Sequence, residues 1–154
     1  MRYNDGVMAR LFFCLLLFLA LANAQDSAGS APVPTKMEVK PLGTISGTHY
    51  WDIKVGTGKK AIPGFTLRVN YIGWFKKNKT DYVIFDSTVG KEPFQFDLGM
   101  RRVIKGWDEG IMGMRVGGRR QIIIPPEAAY GPTGAGKIPP NATLIFEVEL
   151  VEVR

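Results

Sequence analysis

Trp107 lies between Gly106 and the acidic pair Asp108-Glu109, directly after the stretch Arg102-Val103-Ile104-Lys105. Tyr71, Phe85, Phe94, Tyr130 and Phe146 lie around it at separations too irregular for one helix or one strand, and Asp86 follows Phe85. So many aromatic side chains with one adjoining carboxylate read as a concave aromatic pocket holding a single polar group. Such a pocket suits an uncharged, hydrophobic ligand.

Conventional catalytic sets are missing. His49 is the only histidine, and neither a nucleophile nor a metal-ligand spacing surrounds it, so it reads as structural. Cys14 is the only cysteine and falls in the N-terminal leader, which excludes thiol catalysis, a thiolate metal site and a disulfide framework from the folded domain. No Gly-Lys-Ser/Thr follows the glycine-rich stretches, so phosphate cradling has no support. Asp108-Glu109 most simply complement the positive start of a short helix. No metal and no cofactor are expected.

The elements that must position the pocket are mostly strands. Trp51, Ile53 and Val55 alternate with Tyr50, Asp52 and Lys54 until Gly56. Phe65, Leu67, Val69 and Tyr71 share one face of a half-buried antiparallel strand, with Thr66, Arg68 and Asn70 on the other. Lys76 to Asp81 is a polar turn, and Tyr82 to Phe85 forms the second arm of a hairpin. Pro93 to Leu98 is another short strand. Trp107, Ile111 and Met114 then recur at i, i+4 and i+7, the spacing of a helix that packs one face on a sheet. Gly110 and Gly113 argue that this helix is short. Arg119 to Ile124 is a strand stopped by Pro125-Pro126, and residues 131–140 form a loop shaped mainly by proline. Leu144, Phe146, Val148 and Leu150, alternating with Glu147 and Glu149, make the last strand. The expected class is α+β, an antiparallel sheet of about five strands wrapped on one short helix.

Residues 1–24 read as a signal peptide: Arg10, an apolar run from Leu11 to Leu21, then Ala22-Asn23-Ala24 as a small-residue cleavage site. Met8 is a possible internal start, and a retained membrane anchor is the alternative. Residues 25–43, rich in Ala, Ser, Gly and Pro, read as a flexible arm, with Met37, Val39 and Ile45 as an optional edge strand. Residues 44–154 form one domain. The chain carries 20 Lys and Arg against 14 Asp and Glu, a net charge of +6. These charges are scattered rather than striped, which disfavours a nucleic-acid partner. Asn78-Lys79-Thr80 and Asn141-Ala142-Thr143 both fit the glycosylation acceptor pattern. Asn78, in its polar turn, is the better candidate. The closing Val151-Glu152-Val153-Arg154 carries no retention signal of the Lys-Asp-Glu-Leu kind, so both secretion and residence in the endoplasmic reticulum are compatible with a leader.

Five motifs stand in the order of one family: Val69-Asn70-Tyr71-Ile72-Gly73, Phe85-Asp86-Ser87, Val103-Ile104-Lys105-Gly106-Trp107-Asp108-Glu109-Gly110, Ala129-Tyr130-Gly131, and Ile138-Pro139-Pro140-Asn141-Ala142-Thr143-Leu144. From about Tyr50 to Val153 the chain resembles the FKBP-type peptidyl-prolyl cis-trans isomerases. The resemblance implies an FKBP-like half-barrel of five to six antiparallel strands curled around one short helix. It also implies isomerisation of X-Pro bonds in proline-containing polypeptides, binding of the macrolides rapamycin and tacrolimus, and a monomer. Carried over by motif, Trp107 is the floor for the prolyl ring, and Tyr71, Phe94, Val103, Ile104 and Phe146 are walls. The Ile104 N–H and the Tyr130 hydroxyl hold ligand carbonyls, Asp86 is the polar element, and Phe85 and Ile138 complete the rim. Phe146, Phe94 and Val103 would serve equally as core packing, and Asp86 as a turn cap before Ser87.

Residues Ser87 to Glu92 lack the arginine that many members place near the pocket carboxylate, which leaves Lys91 as the candidate partner of Asp86. Lys137 stands where an apolar residue is frequent. With the leader, the resemblance points to an isomerase that assists folding in the secretory pathway, without stable membrane insertion after cleavage. The alternative is a low-turnover binding module or chaperone that uses the same pocket.

Overall fold

The structure, a computed structural model, describes residues 32–154 apart from Val39. The expected leader, with Cys14, and the first part of the arm lie outside the described residues. Residues Val33–Arg154 form one compact unit. Its elements run β1 (Leu42–Gly43), β2 (His49–Lys54), β3 (Thr66–Lys76), β4 (Tyr82–Ser87), β5 (Phe94–Asp97), helix α1 (Lys105–Ile111), β6 (Arg119–Ile124) and β7 (Leu144–Val153). A 3-10 turn occupies Pro126–Ala128. Among the described residues no helix is long and apolar enough to cross a membrane.

All seven strands join one antiparallel sheet in the order β1-β2-β6-β7-β3-β4, with β5 also paired to β3. The seventh strand, relative to the five or six expected, is the two-residue β1, which pairs with the start of β2 inside the segment read as an arm. Alternation dictates the faces of β3. Leu67 and Val69 are fully buried in the main core against α1, while Thr66 and Arg68 are only partly buried. From Ile72 onward both faces are apolar. Trp74 and Ile145 form a second cluster with Ile72, and Ile84 and Ile123 pack against it.

Two register shifts bend the sheet. Val69 pairs with Leu150 and Arg68 with Glu152, so Val151 is an extra residue in β7. That bulge is visible in the sequence, where the acidic phase moves from Glu147 and Glu149 to Glu152. Across β3 and β4, Trp74 pairs with Ile84 and Gly73 with Asp86, which leaves Phe85 as the extra residue.

Helix α1 lies close against β6 because it carries glycine where side chains would collide. A Cβ on Gly106 would sit 2.3 Å from Ile124 Cγ2, and one on Gly110 would sit 2.8 Å from Ile122 Cγ2. The helix starts at Ile104, whose carbonyl accepts N–H bonds from Trp107 (2.9 Å) and Asp108 (3.3 Å). At the other end Arg120 of β6 donates to the carbonyls of Gly110 (2.8 Å) and Met112 (3.2 Å). A cation satisfies the free carbonyls of a helix C-terminus and opposes its negative pole. The same guanidinium grips both oxygens of Asp52 at 2.7 and 3.1 Å and lies 4.1 Å from the centre of the Tyr50 ring. Met114 falls just past the helix, after Gly113 at φ 82°, yet remains buried in the same core.

Candidate active site

Trp107 is the centre of an aromatic cluster. It projects from the first turn of α1, is 4% exposed, and meets four other rings. Tyr71 stands edge-on to it at 5.0 Å and 88°, Phe146 at 5.2 Å and 82°, Phe94 at 6.0 Å and 77°, and Phe96 leans on it at 5.6 Å and 59°. Edge-to-face contacts of this kind add about 0.5–1.5 kcal/mol each beyond area burial. They also fix the plane of the indole. Among the described residues, its Nε1 is the one buried side-chain polar atom that has no hydrogen-bond partner. Phe94 is 41% exposed although it touches Trp107, Tyr71 and Phe96, so it forms an open wall rather than core.

Phe96 was not singled out from the sequence. It is buried, stacks at 19° on Phe94, and supports both Phe94 and Trp107. Its spacing two residues after Phe94 on one strand was the available signal. Gly73 is the second missed residue. A Cβ there would lie 2.8 Å from both the Phe85 and the Phe146 rings, so its bare backbone lets these two meet edge-on at 5.5 Å.

The Phe85 bulge explains how a carboxylate comes beside the aromatic cluster. In a regular strand Phe85 and Asp86 would point to opposite faces. With Phe85 as the extra residue, it packs on the main core while Asp86, opposite Gly73, keeps to the same side. There the Tyr71 hydroxyl donates to Asp86 Oδ2, and the Ser87 N–H donates to Oδ1 at 2.8 Å. Asp86 thus accepts both a side-chain hydroxyl and the N–H of the last residue of β4. Burial, followed by the bond to Asp86 and its charge, pushes the Tyr71 hydroxyl well above the usual tyrosine range. Lys91 does not partner Asp86; its ammonium donates to the Ser87 carbonyl at 2.9 Å. The partner of Asp86 is a neutral hydroxyl.

Val103 and Ile104 form a half-buried lip packed on the core. No hydrogen bond among the described residues uses the Ile104 N–H. Asp108 acts differently from a helix-end charge alone: its two oxygens accept the backbone N–H groups of Gly99 (2.8 Å) and Arg101 (3.1 Å) in the turn before the lip. Glu109 accepts the Ser46 N–H at 3.1 Å. Burial alone would raise the Glu109 carboxyl, but bonds from Thr44 and Ser46 and the charge of Lys105 hold it below its ordinary value.

Tyr130 is 41% exposed, close enough to Tyr71 to influence its ionisation, and begins the last loop. Backbone bonds and glycine, more than proline, shape that loop. Ala135 and Ile138 exchange N–H bonds at 3.0 and 2.8 Å, and the Asn141 N–H reaches Gly131 at 2.9 Å. Gly134, at φ 69°, leaves no room for a Cβ beside the Ile138 carbonyl. This bridge seats Ile138 in the core and leaves Lys137 exposed beside it. His49 is an exposed strand residue in β2, and no group of metal-ligating side chains occurs among the described residues. Asn78 is exposed in the β3–β4 turn, where its Oδ1 accepts the N–H groups of Thr80 (3.0 Å) and Asp81 (2.9 Å).

The family model for FKBP-type peptidyl-prolyl cis-trans isomerases matches residues 57–151. The peptidyl-prolyl cis-trans isomerase FKBP53 of Arabidopsis thaliana is 55% identical over 98 residues, covering 63% of this chain and 20% of that protein. The FK506-binding protein of Neisseria meningitidis serogroup B is 48% identical over 111 residues, which span 71% of this chain and 98% of that protein. The crystal structure of AtFKBP13 overlays with a TM-score of 0.65 at 35% identity, covering 75% of this chain and 100% of that one. Of three longer relatives, this chain spans only 20 to 33% of the length. A family match over more than half of the sequence, the fold of AtFKBP13 and a relative covered almost end to end place the chain among the FKBP-type peptidyl-prolyl cis-trans isomerases.

Proposed function

We propose that the chain catalyses cis-trans isomerisation of X-Pro bonds in polypeptides, with the prolyl ring on Trp107. The observation that carries this reading is the indole held by four aromatic neighbours, of which Phe94 is 41% exposed. Rotation about the amide must overcome a barrier of roughly 18–20 kcal/mol, set by resonance across the C–N bond. In X-Pro it takes tens to hundreds of seconds, slow enough to limit folding. The twisted transition state has lost that resonance and is less dipolar than the planar amide. A dry aromatic surface therefore favours it over the ground state, and differential binding lowers the barrier without a nucleophile. The Ile104 N–H and the Tyr130 hydroxyl orient substrate carbonyls. Asp86 and Tyr71, bonded to each other, present one fixed polar edge.

The same pocket takes rapamycin- and tacrolimus-type macrolides, which bury an uncharged ring against the indole. The leader-like residues 1–24 support action in the secretory pathway, on exported chains, with Asn78 as a glycan acceptor where the host glycosylates. The test is a cis-to-trans assay on a Leu-Pro or Phe-Pro peptide with micromolar protein. Acceleration abolished by rapamycin is expected, and no acceleration refutes the reading. Macrolide binding without acceleration selects the low-turnover binding module. The exposed Lys137 and the uncharged partner of Asp86 give that alternative its footing.

A further inference from the structure

Asp108 is a buried carboxylate that the mechanism above does not use. It lies one turn into α1, four residues after Ile104, and its own N–H donates to the Ile104 carbonyl at 3.3 Å. Its side chain reaches back to the β5–α1 connection and accepts the N–H groups of Gly99 and Arg101 at 2.8 and 3.1 Å. That connection is twice forced into the left-handed region, with Gly99 at φ 77° and Arg101 at φ 55°. Glycine adopts that conformation freely, but for arginine it is disfavoured and persists only where surroundings hold it. In that conformation the Arg101 N–H is bonded to Asp108. Three residues later the same backbone delivers Ile104, with the N–H that no described residue uses.

We propose that Asp108 is a positioning residue that sets the peptide plane between Val103 and Ile104, and so aims the Ile104 N–H at the substrate carbonyl. The inference rests on the isomerase reading for its consequence but not for its geometry. Asp108 meets Ile104 from two directions: its backbone N–H donates to the Ile104 carbonyl, and its carboxylate holds the turn that precedes the Ile104 nitrogen. A hydrogen bond weakens steeply as its angle departs from linear, so a small rotation of this plane removes the donor without disturbing the aromatic floor. Two carboxylate oxygens are required because two N–H groups must be met. An amide at 108 offers one oxygen and turns an NH2 toward the other donor.

The experiment compares Asp108→Asn, Asp108→Glu and wild type as full chains. It measures kcat and KM on a Leu-Pro peptide, rapamycin affinity, the 15N–1H signal of Ile104 and its change on adding rapamycin, and thermal unfolding. Asp108→Asn is expected to lower kcat/KM and macrolide affinity about tenfold at a temperature where it is fully folded, to shift the Ile104 amide, and to shrink its response to rapamycin. Asp108→Glu, which keeps two oxygens, is expected to recover most of the loss. Unchanged Ile104 response and unchanged kcat/KM in folded Asp108→Asn overturn the proposal, as does a loss that only tracks the unfolded fraction. Should the wild type bind rapamycin but fail to isomerise, the isomerase reading falls, and the Ile104 signals with macrolide affinity still decide the role of Asp108.

Discussion

Trp107 and Lys105 differ by two positions but belong to opposite sides of α1. The indole is enclosed by four rings, whereas Lys105 is exposed and makes only a 3.8 Å ion pair with Glu109. An exposed i,i+4 pair contributes about 0.3–0.5 kcal/mol. Trp107→Ala is therefore expected to weaken proline-peptide and macrolide binding by at least tenfold, and Lys105→Ala by less than twofold, in titrations on folded protein. The tryptophan variant will also lose on the order of 3–5 kcal/mol of stability, so binding must be compared well below its unfolding temperature. Tyr71 gives a second residue-scale test. Its folded-state pKa is raised above the unfolded value of 10.0, so the stability it adds is fully present below pH 10 and is lost as pH climbs through the raised pKa. In an alkaline titration followed by phenolate absorbance, Tyr71 should give a late step above the usual tyrosine range. Tyr71→Phe should delete that late step; if Asp86→Asn leaves the step where it was, the bond between the two is not its cause.

At the scale of elements, α1 trades helix propensity for proximity to the sheet. Alanine in place of Gly106 would gain about 1 kcal/mol of intrinsic helix stability. Its Cβ would also stand 2.3 Å from Ile124 Cγ2, and overpacking of that severity costs about 1–3 kcal/mol or more. Gly106→Ala is thus expected to destabilise, read as a lower urea midpoint with an unchanged slope; a rise would show that the helix can simply move outward. Strand β7 and the first half of β3 were legible because one face is apolar and the other polar, as with Leu67 and Val69 against Thr66 and Arg68, and β6 as a run stopped by Pro125. The β7 bulge was legible in the phase of its glutamates. The Phe85 bulge was not, because Tyr82-Val83-Ile84-Phe85 is apolar on both faces and offers no phase to shift. Asp86 could be linked to the aromatic residues by its adjacency to Phe85 and by resemblance, but not by strand phase, and Gly73 escaped because bare backbone leaves no chemical signature.

Across the whole molecule, the pocket side of the sheet is matched by a polar clip on the other. The Thr35 N–H donates to Glu147 Oε1 at 2.6 Å, and its carbonyl accepts from Gln121 Nε2, also at 2.6 Å. Glu147 is 5% exposed and is bonded to Arg119. It follows Phe146 in β7, so the clip and an aromatic neighbour of Trp107 share one strand. Nothing in the aperiodic sequence around Thr35 announced this, since a backbone contact places no demand on side-chain type. Burial alone would raise the Glu147 carboxyl, but the Arg119 and Thr35 bonds and the Arg119 charge outweigh it and hold the group below its ordinary 4.5. A depressed folded-state pKa stabilises above the unfolded value, and that contribution is lost as pH falls through the lowered one. Glu147→Gln keeps an acceptor for Thr35 but leaves Arg119 without its charge partner, which should cost about 3 kcal/mol at pH 7. At pH 3 the wild-type carboxylate is itself losing its advantage, so the gap between the two proteins in urea midpoint should narrow. An equal gap at both pH values would mean that Glu147 holds the clip by shape rather than by charge.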